Sequence, residues 1–131
     1  MNSSFWEYVI STIYIIIVPC AMLIISGRNA EEPPKYNETV QWSGYRTGRN
    51  TRSKEAWEFS QKYFFSKAEW IALFEIIGSV VIIIKYWHRI LFPSFQLEIV
   101  LLQVALVIII PAIPTEIMVH KMFDKNGKRK L

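Results

Sequence analysis

Leu97-Glu-Ile-Val-Leu-Leu-Gln-Val-Ala-Leu-Val-Ile-Ile-Ile-Pro-Ala-Ile-Pro-Thr-Glu-Ile-Met118 decides the architecture. Polar side chains interrupt this run at Glu98, Gln103, Thr115 and Glu116, and the rest is apolar or proline. At about 1.5 Å of rise per residue, a helix of this length crosses a hydrocarbon core about 30 Å thick. Two further runs share its character, at residues 8–26 and 68–87. A soluble domain would space its apolar residues at helical or strand intervals; here they are blocked together, and charge collects between them in residues 27–67. With 131 residues, 52% of them hydrophobic, the chain has room for one domain. The expectation is an all-α membrane protein with three transmembrane helices, at 8–26, 68–87 and 97–118. A basic loop at 27–67 carries a cytoplasmic amphipathic helix, and a cytoplasmic tail follows at 119–131.

The first run meets polar side chains at Ser11, Thr12 and Tyr14. No Lys or Arg precedes it, and Phe5, Trp6 and Tyr8 form an interfacial aromatic anchor, so a retained helix is expected rather than a cleaved signal. The second run, 70–86, sits near the lower limit of about 17 residues for a span. Trp70 marks one boundary, and Lys85, Tyr86, Trp87 and Arg89 mark the other. Phe92-Pro93-Ser94 is then expected as a tight turn, because proline disfavours helix at the residue before it. Pro19, Pro111 and Pro114 each remove the donor for a carbonyl four residues back, on Ile15, Val107 and Ile110. Membrane helices tolerate this where neighbours or water satisfy the freed groups. Three kinks in one half of the bilayer would make a wider, wetter vestibule there.

Three spans put the loop and the tail on the same side. That side carries Arg28, Lys35, Arg46, Arg49, Arg52, Lys54, Lys62, Lys67, Lys121, Lys125, Lys128, Arg129 and Lys130, against Lys85 and Arg89 on the other. The bias places the N-terminus outside and the C-terminus in the cytoplasm. These basic residues flank hydrophobic segments, so the net charge of +4 points to membrane lipids and not to nucleic acid. Cys20, the single cysteine, excludes an internal disulfide and reads as a small packed or lipid-facing residue. His88 and His120 lie at different helix ends, with no Cys or carboxylate spaced to complete a metal site. No nucleophile elbow, phosphate-cradling glycine loop, HExxH or carboxylate dyad is present, so neither an enzyme nor a cofactor is expected.

Within the loop, Gly27-Arg28-Asn29-Ala30 reads as a helix stop, and Pro33-Pro34 forces extended backbone. Turn formers mix with Val40 and Trp42 between Asn37 and Gly44. From Ser53 the pattern becomes helical over 54–67. Ser53 is the N-cap, Glu55 suits the first turn, and Trp57, Tyr63 and Phe64 recur at helical spacing. Aromatics interleaved with lysines suit a helix lying along the cytoplasmic interface, either continuing into the second span or bending at its start. Just ahead stands Gly44-Tyr45-Arg46-Thr47, followed by Arg49 and Arg52. A glycine free to turn precedes guanidinium forks suited to carboxylate or phosphate. Either this patch holds lipid phosphates, or Arg46 reaches a buried carboxylate or bound anion and fixes the loop over the helices. Two carboxylates are placed for that. Glu75 lies on an otherwise apolar stretch, where a carboxylate is costly unless paired, neutralised or wet. Glu116 follows Pro114 and Thr115, where an ordinary interface role is equally open. Glu98 reads as a solvated helix start.

Gly44-Tyr45-Arg46-Thr47, with Trp57 in Ser53-Lys54-Glu55-Ala56-Trp57-Glu58-Phe59, resembles the signature of the SdpI family. Pro33-Pro34-Lys35-Tyr36-Asn37 is similar to the family's lead-in. Ile110-Pro111-Ala112-Ile113-Pro114-Thr115-Glu116 and Met122-Phe123-Asp124-Lys125-Asn126-Gly127 are similar to the close of its short members. Asn50 stands where the family usually has Ser, and Ser60-Gln61 where it usually has Ala-Asn. The resemblance implies a bacterial plasma-membrane protein that confers immunity to a membrane-active peptide toxin and signals its presence by holding a cytoplasmic repressor. It also implies self-association of a three-helix member into a homo-oligomer. A small ion-coupled transporter or exporter using Glu75, or an accessory subunit of a larger membrane complex, is the alternative.

Overall fold

The computed structural model describes residues 4–36 and 44–130, and the two expectations that fall on Asn37, Val40 and Trp42 lie outside them. Three long helices account for most of the chain: α1 at Phe5–Glu31, α2 at Lys54–Lys85 and α3 at Pro93–Met122. No strand occurs among the described residues; an isolated antiparallel bridge joins Phe123 to Arg129. Tyr8 stacks on Trp87 at one end, and Gly27 faces Glu69 toward the other, so α1 and α2 run antiparallel. α3 returns antiparallel to α2, its Gln103 opposite Ser79.

The helix ends follow from local chemistry. The Ser4 hydroxyl accepts from the Glu7 N–H, and the Ser53 hydroxyl from the Ala56 N–H, each satisfying a donor that a helix start leaves open. Pro93 opens α3 as its first residue, a position where its missing N–H costs nothing. The link between α2 and α3 is therefore residues 86–92, with a 3-10 turn at Arg89–Leu91, and not a turn centred on Pro93. At Gly27 the expected stop is absent: α1 runs on to Glu31. What ends it is Pro33, which drives Glu32 out of helical geometry to φ −124°, ψ 88°.

α1 and α3 are each long and apolar enough to cross a membrane. Within their most apolar windows 22% of residues are buried by the rest of the chain. Their aliphatic surface, with Ile10, Ile13, Ile17 and Ile24 on α1 and Leu101, Leu102, Ile108 and Ile113 on α3, faces outward. A helix buried in a soluble core would show the opposite. The segment at 68–85 of α2 carries Glu69, Glu75 and Lys85, which separates it in composition from the other two.

Three apolar clusters hold the bundle. Ile15, Ile83, Ile90 and Ile99 pack at one end, and Phe64, Phe65, Ala68, Ala72 and Val107 gather around Tyr45 in the middle. Ala56, Val119 and Phe123 close the other end. Between the first two lies a polar knot across all three helices. The Gln103 amide donates to the Ile15 carbonyl and to the Ser79 hydroxyl, each at 2.8 Å. Ile15 is the residue whose carbonyl Pro19 deprives of its donor, so a side chain of α3, buried with it, supplies the missing bond.

Candidate functional site

The loop that precedes α2 folds onto it. Helix α2 is continuous from Lys54, so the expected amphipathic segment and the second apolar run are one element. Its aromatic face does not lie outward along an interface: Trp57 is 1% exposed, and Phe64 and Phe65 are buried with it. They are covered by Gly44-Tyr45-Arg46-Thr47. The Tyr45 ring stacks on Phe64 with centroids 4.3 Å apart, and the Arg46 guanidinium lies 4.6 Å above the Trp57 ring. The Trp57 indole N–H donates to the Pro34 carbonyl at 2.6 Å, which draws the proline segment against the same residue.

The backbone of Tyr45 is held by two polar side chains, Gln61 and Asn50. Gln61 accepts from the Tyr45 N–H at 2.7 Å and donates to its carbonyl at 2.6 Å. Asn50 donates to that carbonyl at 2.7 Å and to the Ser60 hydroxyl at 2.9 Å, while accepting from the Thr47 N–H. Asn50, Ser60 and Gln61 are fully buried, and buried polar groups are affordable when partnered in this way. Gly44 makes the approach possible. Its φ is +90°, and a Cβ there would stand 2.8 Å from the Gln61 amide oxygen and 2.9 Å from the Trp57 ring.

Tyr45 carries the knot across to α3. Its hydroxyl donates to the Glu116 carboxylate at 2.6 Å. Burial first, and then the hydrogen bond and charge of Glu116, push the phenol pKa above its ordinary value of 10.0. A loop group thus reaches a carboxylate of the bundle through Tyr45, the neighbour of Arg46. Glu116 also has His120 beside it, Nδ1 to Oε2 at 3.6 Å.

The segment after α3, noted in the sequence for a resemblance and given no role there, completes the arrangement. Asp124-Lys125-Asn126-Gly127 forms a turn in which the Asp124 carboxylate accepts from the Asn126 and Lys128 N–H groups at 2.9 Å each. Those bonds, the Lys128 N–H above all, hold Asp124 below its usual carboxylate range. Gly127, at φ +80°, packs so closely that a Cβ would meet the Arg52 backbone at 2.8 Å. Its carbonyl accepts from Ser53, the cap of α2, at 2.6 Å. Arg49 donates to the Phe123 carbonyl, and Arg129 donates to Glu55 at 2.6 Å. Turn formers followed by basic residues were the available signal.

Gly44, Tyr45, Arg46, Thr47, Trp57 and Glu116 are thus gathered in the half of the bundle that holds the start of α2 and the end of α3. Glu75 stands apart from them, in a groove between α2 and α3 together with Gln103. Among the described residues no group of three or more His, Cys, Asp or Glu could hold a metal ion. Comparison with models of known families, with curated proteins and with solved structures finds no match to this chain.

Proposed function

We propose that the chain is an integral membrane protein of the SdpI type that protects a bacterial cell from a membrane-active peptide toxin. In this proposal the 68–87 segment spans the bilayer alongside α1 and α3, the N-terminus faces outward, and the loop and tail lie in the cytoplasm. Thirteen of the fifteen Lys and Arg residues then sit on the cytoplasmic side, as the listing by position above gives. The observation that carries the proposal is the knot itself. Residues on which the SdpI resemblance rests meet in the folded chain, with Arg46 set over Trp57 and Tyr45 on Glu116. Such a platform joins the loop to the end of the third helix, so a peptide that shifted the helices would alter the surface offered to a cytoplasmic repressor.

Expression of the chain in a sensitive bacterium, followed by challenge with killing peptides encoded near it, tests this. Protection that is lost on Trp57→Ala, with the protein still present in the membrane, is the expected result. Survival unchanged across those peptides would refute immunity.

A further inference from the structure

Glu75 is the one carboxylate on the apolar part of α2 beyond Trp70, and both of its oxygens are buried with no hydrogen-bond partner among the described residues. The Gln103 amide oxygen is in the same condition, while its NH2 donates to Ile15 and Ser79. The two side chains line one groove of about 300 Å3 between α2 and α3. Apart from Ser79 and Gly78 the remaining walls are aliphatic or aromatic, with Ile71, Ile82 and Ile99 inside and Phe74, Leu102 and Leu106 at an outward-facing rim. Gly78 forms part of the lining, and a Cβ built there meets nothing within 4 Å. A glycine inside a helix costs about 1 kcal/mol relative to alanine, and here no neighbour requires it. What it does is keep the groove open.

Three buried acceptor atoms without donors, on two side chains that line an apolar cleft, define the complementary chemistry. A primary ammonium offers three N–H donors and the opposite charge to a carboxylate, and the apolar walls require that it carry an apolar body. The volume, at the low end for ligand pockets, limits that body to a small one. We propose that the groove between α2 and α3 binds a small amphiphilic primary ammonium, its head on Glu75 and Gln103 and its apolar part along the groove. The site needs neither the loop knot nor any role in immunity.

The test uses the full chain in phosphatidylcholine nanodiscs, titrated calorimetrically with 2-phenylethylammonium. Two comparison probes are 2-phenylethanol, which lacks the charge, and trimethyl(2-phenylethyl)ammonium, which keeps the charge without N–H donors. Saturable one-to-one binding of the primary ammonium, with each comparison probe at least about tenfold weaker, is the expected outcome. Glu75→Gln should weaken binding by at least about tenfold. Gly78→Leu should block it by filling the groove while leaving the carboxylate and the helical circular-dichroism signal in place. Absence of saturable binding to the unaltered chain overturns the proposal. So does Glu75→Gln or Gly78→Leu protein that binds as tightly as the unaltered chain.

Discussion

Replacing Gln103 by Leu should destabilise the bundle, and should do so less when Pro19 is also replaced by Ala. The Gln103 amide makes two hydrogen bonds of 2.8 Å, to the Ile15 carbonyl and the Ser79 hydroxyl. Interhelical bonds of this kind in membrane proteins are worth about 0.6 kcal/mol each on average. Stranding a buried carbonyl adds about 1–3 kcal/mol. Gln103→Leu alone should therefore cost about 2–4 kcal/mol. In the Pro19→Ala background residue 19 regains an N–H, which can serve Ile15 within α1, and the stranding cost disappears. The remaining cost should be about 1 kcal/mol, so the cycle has a coupling energy of about 1 kcal/mol or more. Reversible unfolding of the four proteins in mixed micelles with increasing dodecyl sulfate, followed by tryptophan fluorescence, measures it. Additivity within about 0.3–0.5 kcal/mol would show that Gln103 does not stand in for the donor that Pro19 removes.

Gly44→Ala should loosen the loop, since a left-handed backbone costs a non-glycine residue about 1–2 kcal/mol and the new Cβ would also displace Gln61 or Trp57. Faster limited trypsin cleavage within 44–52 reports it, and an unchanged rate would refute it. Tyr45→Phe keeps the stack on Phe64 and removes the bond to Glu116, for a loss of about 1.5 kcal/mol in the same unfolding assay. The raised phenol pKa fixes the pH dependence. This group's contribution is complete below the ordinary tyrosine value of 10.0 and is lost as pH rises through the higher folded value, a decline that Tyr45→Phe should lack. Glu55→Gln breaks a half-exposed pair with Arg129 and should cost less than about 1 kcal/mol, with the difference fading as salt is added.

The helical class was legible because the apolar residues come in blocks, and block length is set by geometry. Helix ends were legible where a single residue decides them: Ser53 caps α2 as its chemistry suggests. They were not legible where two signals compete. Gly27 resembles a stop, but the restriction that Pro33 imposes on Glu32 acts later and wins. The candidate site was legible as a set of residues and not as a set of bonds. Nothing in residue spacing says that Tyr45 meets Glu116, because that depends on how an irregular loop is draped. The aromatic face of 54–67 carried a real amphipathic signal, but periodicity reports that a face is apolar without saying what covers it. Here the covering is the chain's own loop.

The bonds that Phe123, Gly127 and Arg129 make to Arg49, Ser53 and Glu55 join segments synthesised at opposite ends of the second and third helices. During translation the loop at 44–53 emerges long before residues 123–130 do. The helices can form in order, yet the start of α2 stays unbraced until the third helix is already in place. The loop therefore acquires its final form as the last event of biogenesis, and any defect in placing α3 would appear first as an open, protease-sensitive loop two helices upstream.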